Sequence, residues 1–310
     1  MDFQTNLKSS RLSLSRNHVT DAYFVNHGSM TTPPEFKSAL TLPLTAFSAA
    51  FAKAFEGYFM PVPDDPQALA ARVRTEQVDL ATSFVVYARE EVAGVCLIAR
   101  RGEVSRVAGM GITVPWRAKG MSTAIMERLL ADARARGDSR VLLEVIEQNA
   151  PAVRLYEKHG FVKTGRLVGY EADSLSGIPA DLQEISISDV VAKIAHAGDA
   201  HLPWQLQAAT LAGAVRPTRA FRSGRAIGLV VVQPEIIVLR ALIVPSETRR
   251  QGEHASCKLW RTNFQIGGSW FQPSSLKSSQ TDSCSEMGSD TVDCISGRWF
   301  ARWCNCPQER

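Results

Sequence analysis

Apolar residues recur along the first half of the chain with two different periods. From Ser38 to Gly57 they are spaced by three or four residues, which predicts an amphipathic helix, and Asp65 to Glu76 predicts a second helix. The pattern then changes to short apolar runs, two of which flank Arg89-Glu90-Glu91 and predict a β-hairpin. Three strands are predicted here, at residues 83–88, 92–99 and 104–114.

A longer helix is predicted after the third strand. Its apolar face contains Met121, Ala124, Ile125, Leu129 and Ala133. Gly137 ends it, because glycine tolerates the left-handed conformation common just beyond a helix. A strand at 141–146, a helix at 151–158 and a strand at 161–169 complete the series. This order predicts a mixed α/β (α+β) fold in which helices cover a sheet.

Composition indicates a soluble globular protein. Hydrophobic residues make up 45% of the 310 residues, and this length predicts about two domains. A polar N-terminus and the lack of a long apolar run predict a cytoplasmic protein that does not enter a membrane. The net charge of +4 is mild for this length and gives no argument for binding to nucleic acid, which usually needs a clustered basic face, so none is expected.

The two ends of the chain differ from its middle. Residues 1–29 are polar and aperiodic, which predicts a flexible N-terminal extension. Residues 256–310 hold five of the six cysteines, four of the six tryptophans and ten serines, without helical or strand period. This tail is predicted to be disordered, and whether it is a frameshift product stays open. Its cysteine spacing matches no usual zinc pattern, so no metal is expected.

A basic turn containing glycine joins the third strand to the long helix. Arg117-Ala118-Lys119-Gly120-Met121-Ser122 stands where the first N–H groups of a helix have no intrahelical partner. These donors and the positive end of the helix dipole favour phosphate oxygens, and Arg117 and Lys119 add charge. Gly120 lets the backbone approach an anion closely. By itself the pattern is weak, since an ordinary basic turn has the same composition.

The segment Leu143-Glu144-Val145-Ile146-Glu147-Gln148-Asn149-Ala150-Pro151-Ala152-Val153-Arg154-Leu155-Tyr156-Glu157-Lys158-His159-Gly160-Phe161 changes this picture. Together with the basic turn and Gly109-Met110-Gly111-Ile112-Thr113-Val114-Pro115, it closely resembles the GNAT N-acetyltransferase family. The resemblance covers residues 38–172 and includes Ala54-Phe55-Glu56-Gly57-Tyr58. It implies a GNAT-type twisted mixed sheet flanked by helices, forming a complete domain over residues 30–172.

The resemblance also implies an activity, the transfer of an acetyl group from acetyl-CoA to a primary amine of a small molecule or peptide. The amine would attack directly in a ternary complex. The turn would hold the pyrophosphate, the strand end would pair with the pantetheine arm, and the tyrosine would lie near the sulfur. The implied cofactor-binding residues are Ile112, Thr113, Val114, Arg117, Ala118, Lys119, Gly120, Met121, Ser122, Asn149, Ala152 and Tyr156. Ser122 departs from the family, which prefers glycine or alanine there.

Two of these residues also have purely structural interpretations. Asn149, two residues before Pro151, is a favourable N-cap for the following helix. Tyr156 is compatible with a half-buried aromatic on an amphipathic helix. For Asn149 the two roles are compatible, and for Tyr156 the resemblance favours the site.

Amine acylation needs an oxyanion donor, a proton for the departing thiolate and a base for the amine. A backbone N–H near Ile112 or Val114 is the expected oxyanion donor. Tyr156, a phenol with an ordinary pKa of about 10, is the expected general acid because it stays protonated near neutral pH. Glu56, Glu144 or a water relay remains open as the base.

Residues 186–255 repeat the opening of the first module in outline after a linker at 173–185. A helix starting at Pro203, a hairpin at 219–233 and a strand at 236–244 lead to Arg249-Arg250-Gln251-Gly252. This resembles tandem GNAT proteins, and the second module is predicted to be incomplete. The competing functions are a non-catalytic acetyl-CoA-binding or regulatory module and an inactive truncated protein. The acceptor amine is unknown, and a homodimer is left open.

Overall fold

The computed structural model describes residues 8–15, 33–168, 182–200, 202–215, 217–232, 237–243 and 302–303. The chain divides into two compact units, one of residues 10–164 and one of residues 1–9 with 165–310. The predicted linker up to residue 181 and the predicted tail, apart from the strand Arg302–Trp303, lie outside the described residues.

From the second helix to the last strand, the elements of the first unit match the sequence pattern to within a few residues. The first helix begins at Leu44 and not near Ser38, because Glu35–Ser38 pair as a strand with residues 84–87 and Ala39–Thr41 form a 3-10 turn. A second 3-10 turn lies at Val114–Trp116. No helix in the described part of the chain is both long enough and apolar enough to cross a bilayer. In chain order the elements are β1 (Lys8–Ser15), β2 (Glu35–Ser38), α1 (Leu44–Ala54), α2 (Pro66–Glu76), β3 (Phe84–Ala88), β4 (Glu91–Arg101), β5 (Val104–Ile112), α3 (Met121–Arg136), β6 (Arg140–Ile146), α4 (Ala150–Lys158) and β7 (Val162–Val168).

The strands form one mixed sheet in the order β7-β1-β6-β5-β4-β3-β2. Pairing is antiparallel from β2 to β5 and parallel between β5 and β6. Helix α1 packs on one face, where Gly109 and Gly111 of β5 let the rings of Phe51 and Phe55 come close. On the other face, α3 and α4 share a core with alternate residues of β6. The predicted mixed α/β fold is confirmed.

An irregularity in β5 shapes the middle of the sheet. Leu97 of β4 lies opposite Gly109 while Ile98 lies opposite Val107, so Ala108 is an extra residue, a β-bulge. The parallel ladder to β6 ends at the same place, at the pair Val107 and Leu143. Arg72 of α2 donates a hydrogen bond to the carbonyl oxygen of Ala108. Beyond the bulge, β5 continues to Ile112 and β6 to Ile146 without pairing to each other, and we call this unpaired region between the two strands the opening.

The N-terminal segment corrects one prediction. Residues 8–15 were expected to be flexible, but they form β1, inserted between β6 and β7. Leu12 and Leu14 are each only 1% exposed, and the Ser10 hydroxyl donates to Glu147 at 2.9 Å. The alternation of Leu12, Ser13 and Leu14 is a strand period, but two apolar residues in a polar segment are too few to establish it. The prediction was therefore wrong for these eight residues.

A buried arginine joins β5, β6 and α2. Arg106 donates from Nη1 to Glu76 at 2.7 Å and from Nε to Glu144 at 2.6 Å. Burial tends to lower the pKa of the Arg106 guanidinium, but the two carboxylates outweigh it and raise that pKa. Burial likewise tends to raise the pKa of Glu76, and its attraction to Arg72 and Arg106 lowers it on balance. Burial lowers the pKa of Arg11 in β1, and the charge of Glu144 opposes this decrease.

The second unit contains a separate antiparallel sheet in the order β11-β10-β9-β8. Its core includes Val190, Ile194, Leu202 and Leu229. Its elements are β8 (Gln183–Ile185), α5 (Ile187–Ala197), a 3-10 turn (Trp204–Leu206), α6 (Ala208–Leu211), β9 (Thr218–Ser223), β10 (Ala226–Val232) and β11 (Ile237–Ile243). A two-residue strand, β12 (Arg302–Trp303), is not part of this sheet and pairs with Leu167 and Val168.

In this second unit the predicted hairpin and the strand after it are present. Helix α5 was missed, although Ile187, Val190, Val191 and Ile194 carry the helical spacing that marks it. The predicted repeat of the basic turn, at residues 249–252, lies outside the described residues. Identity of this unit as a GNAT-like half module therefore stays a prediction.

Leu14→Ala tests whether β1 belongs to the folded core. Removing a fully buried leucine side chain leaves a cavity, and we expect the free energy of unfolding to fall by about 2–5 kcal/mol. Urea denaturation measures this, with Ser13→Ala as the control because Ser13 is partly exposed on the same strand. Equal stability of Leu14→Ala and wild type would mean that the segment is a dispensable extension.

Glu76→Gln tests the buried charge network through pH. Because the folded state lowers the pKa of Glu76, its ionised form stabilises the fold above the unfolded value of about 4.3, and this contribution disappears as the pH falls through the folded value. We expect Glu76→Gln to be less stable than wild type at pH 6 to 7 and the difference to shrink below about pH 4. Urea denaturation across this range, with the exposed Glu157→Gln as control, measures it. If the difference in the free energy of unfolding between wild type and Glu76→Gln is the same at every pH, the lowered pKa of Glu76 is contradicted.

Candidate functional site

The opening between β5 and β6 lies at the ends where both strands lead into helices. After β5 the chain passes through the turn at 113–120 into α3, and after β6 it passes through Glu147-Gln148-Asn149 into α4. Because the two strands are parallel, these connections lie at the same edge of the sheet. The fold therefore brings the basic turn and the segment that contains Asn149 to the same edge of the sheet.

The basic turn leads into the start of a helix that no side chain caps. Ala118 and Gly120 both have positive φ, 58° and 81°, and α3 begins directly afterwards at Met121. Gly120 is the N-cap, no side chain caps the helix, and its first turn has no acidic residue. Within the described chain, the backbone N–H groups of residues 118–122 have no protein acceptor. Several donors at a positive helix end are thus free for an anion.

The two basic side chains of the turn do different things. Arg117 donates from Nε to the Ile112 carbonyl at 3.0 Å and from Nη2 to the Glu56 carbonyl. Its guanidinium is thus bonded to protein oxygens. The Lys119 ammonium lies 5.4 Å from the centre of the Trp116 ring. Charge supplied directly to a phosphate is therefore better attributed to Lys119 than to Arg117.

The end of β5 offers fewer ligand groups than predicted. The Thr113 N–H donates to Ala93 at 3.0 Å and its hydroxyl donates to Val92 at 2.9 Å, and the residue is fully buried. Its polar groups other than the carbonyl are therefore used within the fold. Val114, by contrast, is 49% exposed, and Ile112 packs its side chain on the core. Direct pairing with a ligand remains a prediction for Ile112 and Val114.

Asn149 caps α4 and also faces a tyrosine. Its Oδ1 accepts from the Ala152 N–H at 3.4 Å, so the N-cap role is present and the Ala152 N–H is occupied. Burial raises the pKa of the Tyr58 phenol, and the nearby Asn149 side chain opposes the rise, so the amide lies close to the Tyr58 hydroxyl. Tyr58, just after α1, was not among the predicted site residues.

Tyr156 of α4 is buried in the hydrophobic core of the first unit. It is 7% exposed and its ring centre is 6.0 Å from that of Phe161. Burial raises the pKa of its phenol well above the ordinary value, and Cys96 and Tyr58 add to the rise. The phenol is therefore protonated at neutral pH, as the predicted general acid requires. Tyr58 acts electrostatically on Tyr156, so two phenols from distant segments come near each other.

The two predicted bases lie in unlike surroundings. Glu144 is tied to Arg106 at 2.6 Å, and its side chain is only 11% exposed. Its carboxylate balances a buried cation within the sheet. Glu56 is exposed in the turn after α1, and its backbone carbonyl accepts the hydrogen bond from Arg117. The geometry therefore favours Glu56 over Glu144 as a proton acceptor.

Metal ligands are not grouped in the described ranges, where no three His, Cys, Asp or Glu side chains come together. Cys96 is fully buried in β4, and burial raises the pKa of its thiol. The remaining five cysteines lie outside those ranges.

Comparison with known proteins bears on this arrangement. The sequence model of the acetyltransferase (GNAT) family matches residues 46–161. No curated protein matches the chain by sequence. A candidate acetyltransferase from Pyrococcus horikoshii superposes with a TM-score of 0.53 at 16% identity, covering 78% of this chain and 81% of that one.

Two further solved structures are similar over shorter stretches. A GCN5-related N-acetyltransferase from Sphaerobacter thermophilus has a TM-score of 0.43 at 18% identity, with 54% of this chain aligned to 52% of that protein, about half its length. The ribosomal-protein-S18-alanine N-acetyltransferase from Escherichia coli has a TM-score of 0.36 at 19% identity, covering 48% of this chain and 85% of that one. The chain therefore contains a domain of the GNAT acetyltransferase family over residues 46–161.

Proposed function

We propose that this chain transfers an acetyl group from acetyl-CoA, bound as a co-substrate, to a primary amine of a small molecule or peptide. The observation that carries the proposal is the opening between β5 and β6, with a helix N-terminus at the end of each strand. An elongated ligand with a phosphorylated end and an acyl thioester end fits this combination. Its anionic end requires backbone donors, and its reacting end requires a buried acid.

The residues at the turn suit the anionic end of acetyl-CoA. The N–H groups of Ala118, Lys119, Gly120, Met121 and Ser122 are the proposed phosphate donors, with the Lys119 ammonium nearby. Ser122, at the second position of α3, is small and partly buried, so it leaves the helix end accessible. We propose that Asn149 also contacts this ligand, through polar atoms that are used neither in the N-cap hydrogen bond nor by Tyr58.

The proposed reaction is direct attack. The amine nitrogen forms a bond to the thioester carbonyl carbon, the carbon–sulfur bond breaks, and the sulfur leaves with a proton from the Tyr156 phenol. A backbone N–H at Ile112 or Val114 stabilises the charge that develops on the carbonyl oxygen. The attacking nitrogen, positively charged in the tetrahedral intermediate, loses a proton to Glu56 or to water as the amide forms, and solvent restores the proton of Tyr156.

The second unit fits a partial repeat of the same fold. Its hairpin and following strand correspond in order to β3, β4 and β5 of the first unit. The Pyrococcus structure aligns with 78% of the chain, which is more than the first unit contains. We propose that residues 186–255 are a GNAT-like half module, and that the acetyl transfer site lies in the first unit alone.

Ser122→Asp tests the anion site without disturbing the helix. An added carboxylate in the first turn of α3 favours the helix dipole by about 0.3–1 kcal/mol, so the free protein should keep its Tm. The same charge repels pyrophosphate. We expect millimolar acetyl-CoA to raise the Tm of wild type, an effect worth about 2.7 kcal/mol at a hundredfold excess over Kd, and to raise that of Ser122→Asp much less. The matched control is the uncharged Ser122→Asn, and an equal rise in both variants would overturn the site.

Tyr156→Phe tests the acid. The substitution removes only the hydroxyl, and general acid catalysis is worth about 10²–10⁴-fold, so we expect kcat to fall by about 100- to 1000-fold with little change in acetyl-CoA affinity. Release of CoA thiol in the presence of a panel of amines measures the rate, and Tyr87→Phe, on β3, is the control. An unchanged kcat would assign the proton to another group or make product release rate-limiting. Acetyl-CoA binding without turnover in wild type would support the non-catalytic alternative.

A further inference from the structure

The Arg117 guanidinium connects two segments that lie far apart in sequence. Its Nε reaches the carbonyl of Ile112, the last residue of β5, and its Nη2 reaches the carbonyl of Glu56, two residues after α1. Gly57, with φ of 70°, lies against it, since a Cβ at this position would be 3.9 Å from Nη1. One side chain thus holds the turn at 56–58 to the end of the strand that borders the opening.

The held turn carries Tyr58. Its N–H donates to the Phe55 carbonyl at 3.0 Å, and its ring meets the Phe55 ring edge-on with centres 5.3 Å apart. Phe55 in turn lies on Gly111, where a Cβ would be 2.8 Å from the ring. The position of the Tyr58 hydroxyl, beside Asn149, therefore depends on where β5 holds this turn.

We infer that Arg117 is a positioning residue that fixes Tyr58 against Asn149 at the opening, and that it is not primarily a phosphate ligand. A guanidinium presents several donors in one plane at fixed angles, so it can bond two carbonyls at once. A lysine ammonium keeps the charge but lacks this fork. The substitution Arg117→Lys therefore separates the effect of the positive charge from the effect of the two hydrogen bonds to carbonyl oxygens. This positioning role rests on the proposed function only in that the opening is taken as the acetyl-CoA site, because the two hydrogen bonds of Arg117 are contacts within the fold.

The first measurement is hydrogen exchange of the full chain without ligand, in wild type, Arg117→Lys, Arg117→Ala and Lys119→Ala. Loss of one hydrogen bond to a charged group should speed exchange of the amides of residues 55–58 by on the order of tenfold in both Arg117 variants, relative to β4 as internal reference. Lys119→Ala removes a charge from the same turn, and exchange there should match wild type.

The second measurement follows Tyr58 itself. In wild type, burial raises the pKa of Tyr58, and release of the turn exposes the phenol, so its titration should move down towards about 10 in both Arg117 variants. A pH titration followed by the ultraviolet absorbance of tyrosinate measures this pKa. The titration step that is absent from Tyr58→Phe is the one that belongs to Tyr58. Calorimetry should give Arg117→Lys an acetyl-CoA affinity within about threefold of wild type, since the proposed phosphate donors, the backbone N–H groups and Lys119, are unchanged.

Unchanged exchange at 55–58 relative to β4, or an unchanged Tyr58 titration, in Arg117→Lys would overturn the inference, whatever happens to catalysis. If Arg117→Ala fails to fold, Arg117→Gln replaces it, because glutamine keeps a long polar side chain with one donor group. Failure of the proposed function has a different signature, namely no acetyl-CoA binding by wild type while the exchange and titration effects persist.

Discussion

The extra residue at Ala108 is the constraint on which the site depends. A β-bulge bends its strand and increases the local twist, and here it coincides with the last pair between β5 and β6. Two parallel strands that stop pairing leave backbone groups and space between them in the middle of a sheet. Arg72 satisfies the Ala108 carbonyl at this point. Without the bulge, β5 and β6 could continue to pair. A ligand could then not lie between them next to the N-termini of α3 and α4.

A buried ion network and an added strand lie beside the paired part of β5 and β6. Arg106 joins α2, β5 and β6 through Glu76 and Glu144, just before the ladder ends. Strand β1 adds Leu12 and Leu14 to the core on the far side of β6 and places Arg11 where Glu144 acts on it. A buried ion network loses much stability when one partner is removed, so these residues tie the strands together in one arrangement.

The parts of the site that face a ligand are mostly backbone, and its side chains mostly hold other parts of the protein. Arg117 bonds two carbonyls, Thr113 bonds β4, and Asn149 caps α4 while meeting Tyr58. The exposed donors are the N–H groups at the start of α3. This division suits an anionic ligand, because fixed amides and a helix dipole need no rearrangement when the charge arrives.

The sequence by itself determined the elements whose hydrophobic period is long, such as α3, and the hairpin whose turn residues Arg89 and Glu90 adopt positive φ. The order of those elements was enough for the mixed α/β fold, and the motifs were enough for the family of residues 46–161. Only the tertiary structure decided the rest. Strand β1 is made stable by partners more than a hundred residues away, and the contacts Arg117–Glu56 and Tyr58–Asn149 join segments whose separation in sequence carries no period. Local pattern reports which face of an element is buried, whereas the partner of a polar side chain is set by packing between elements.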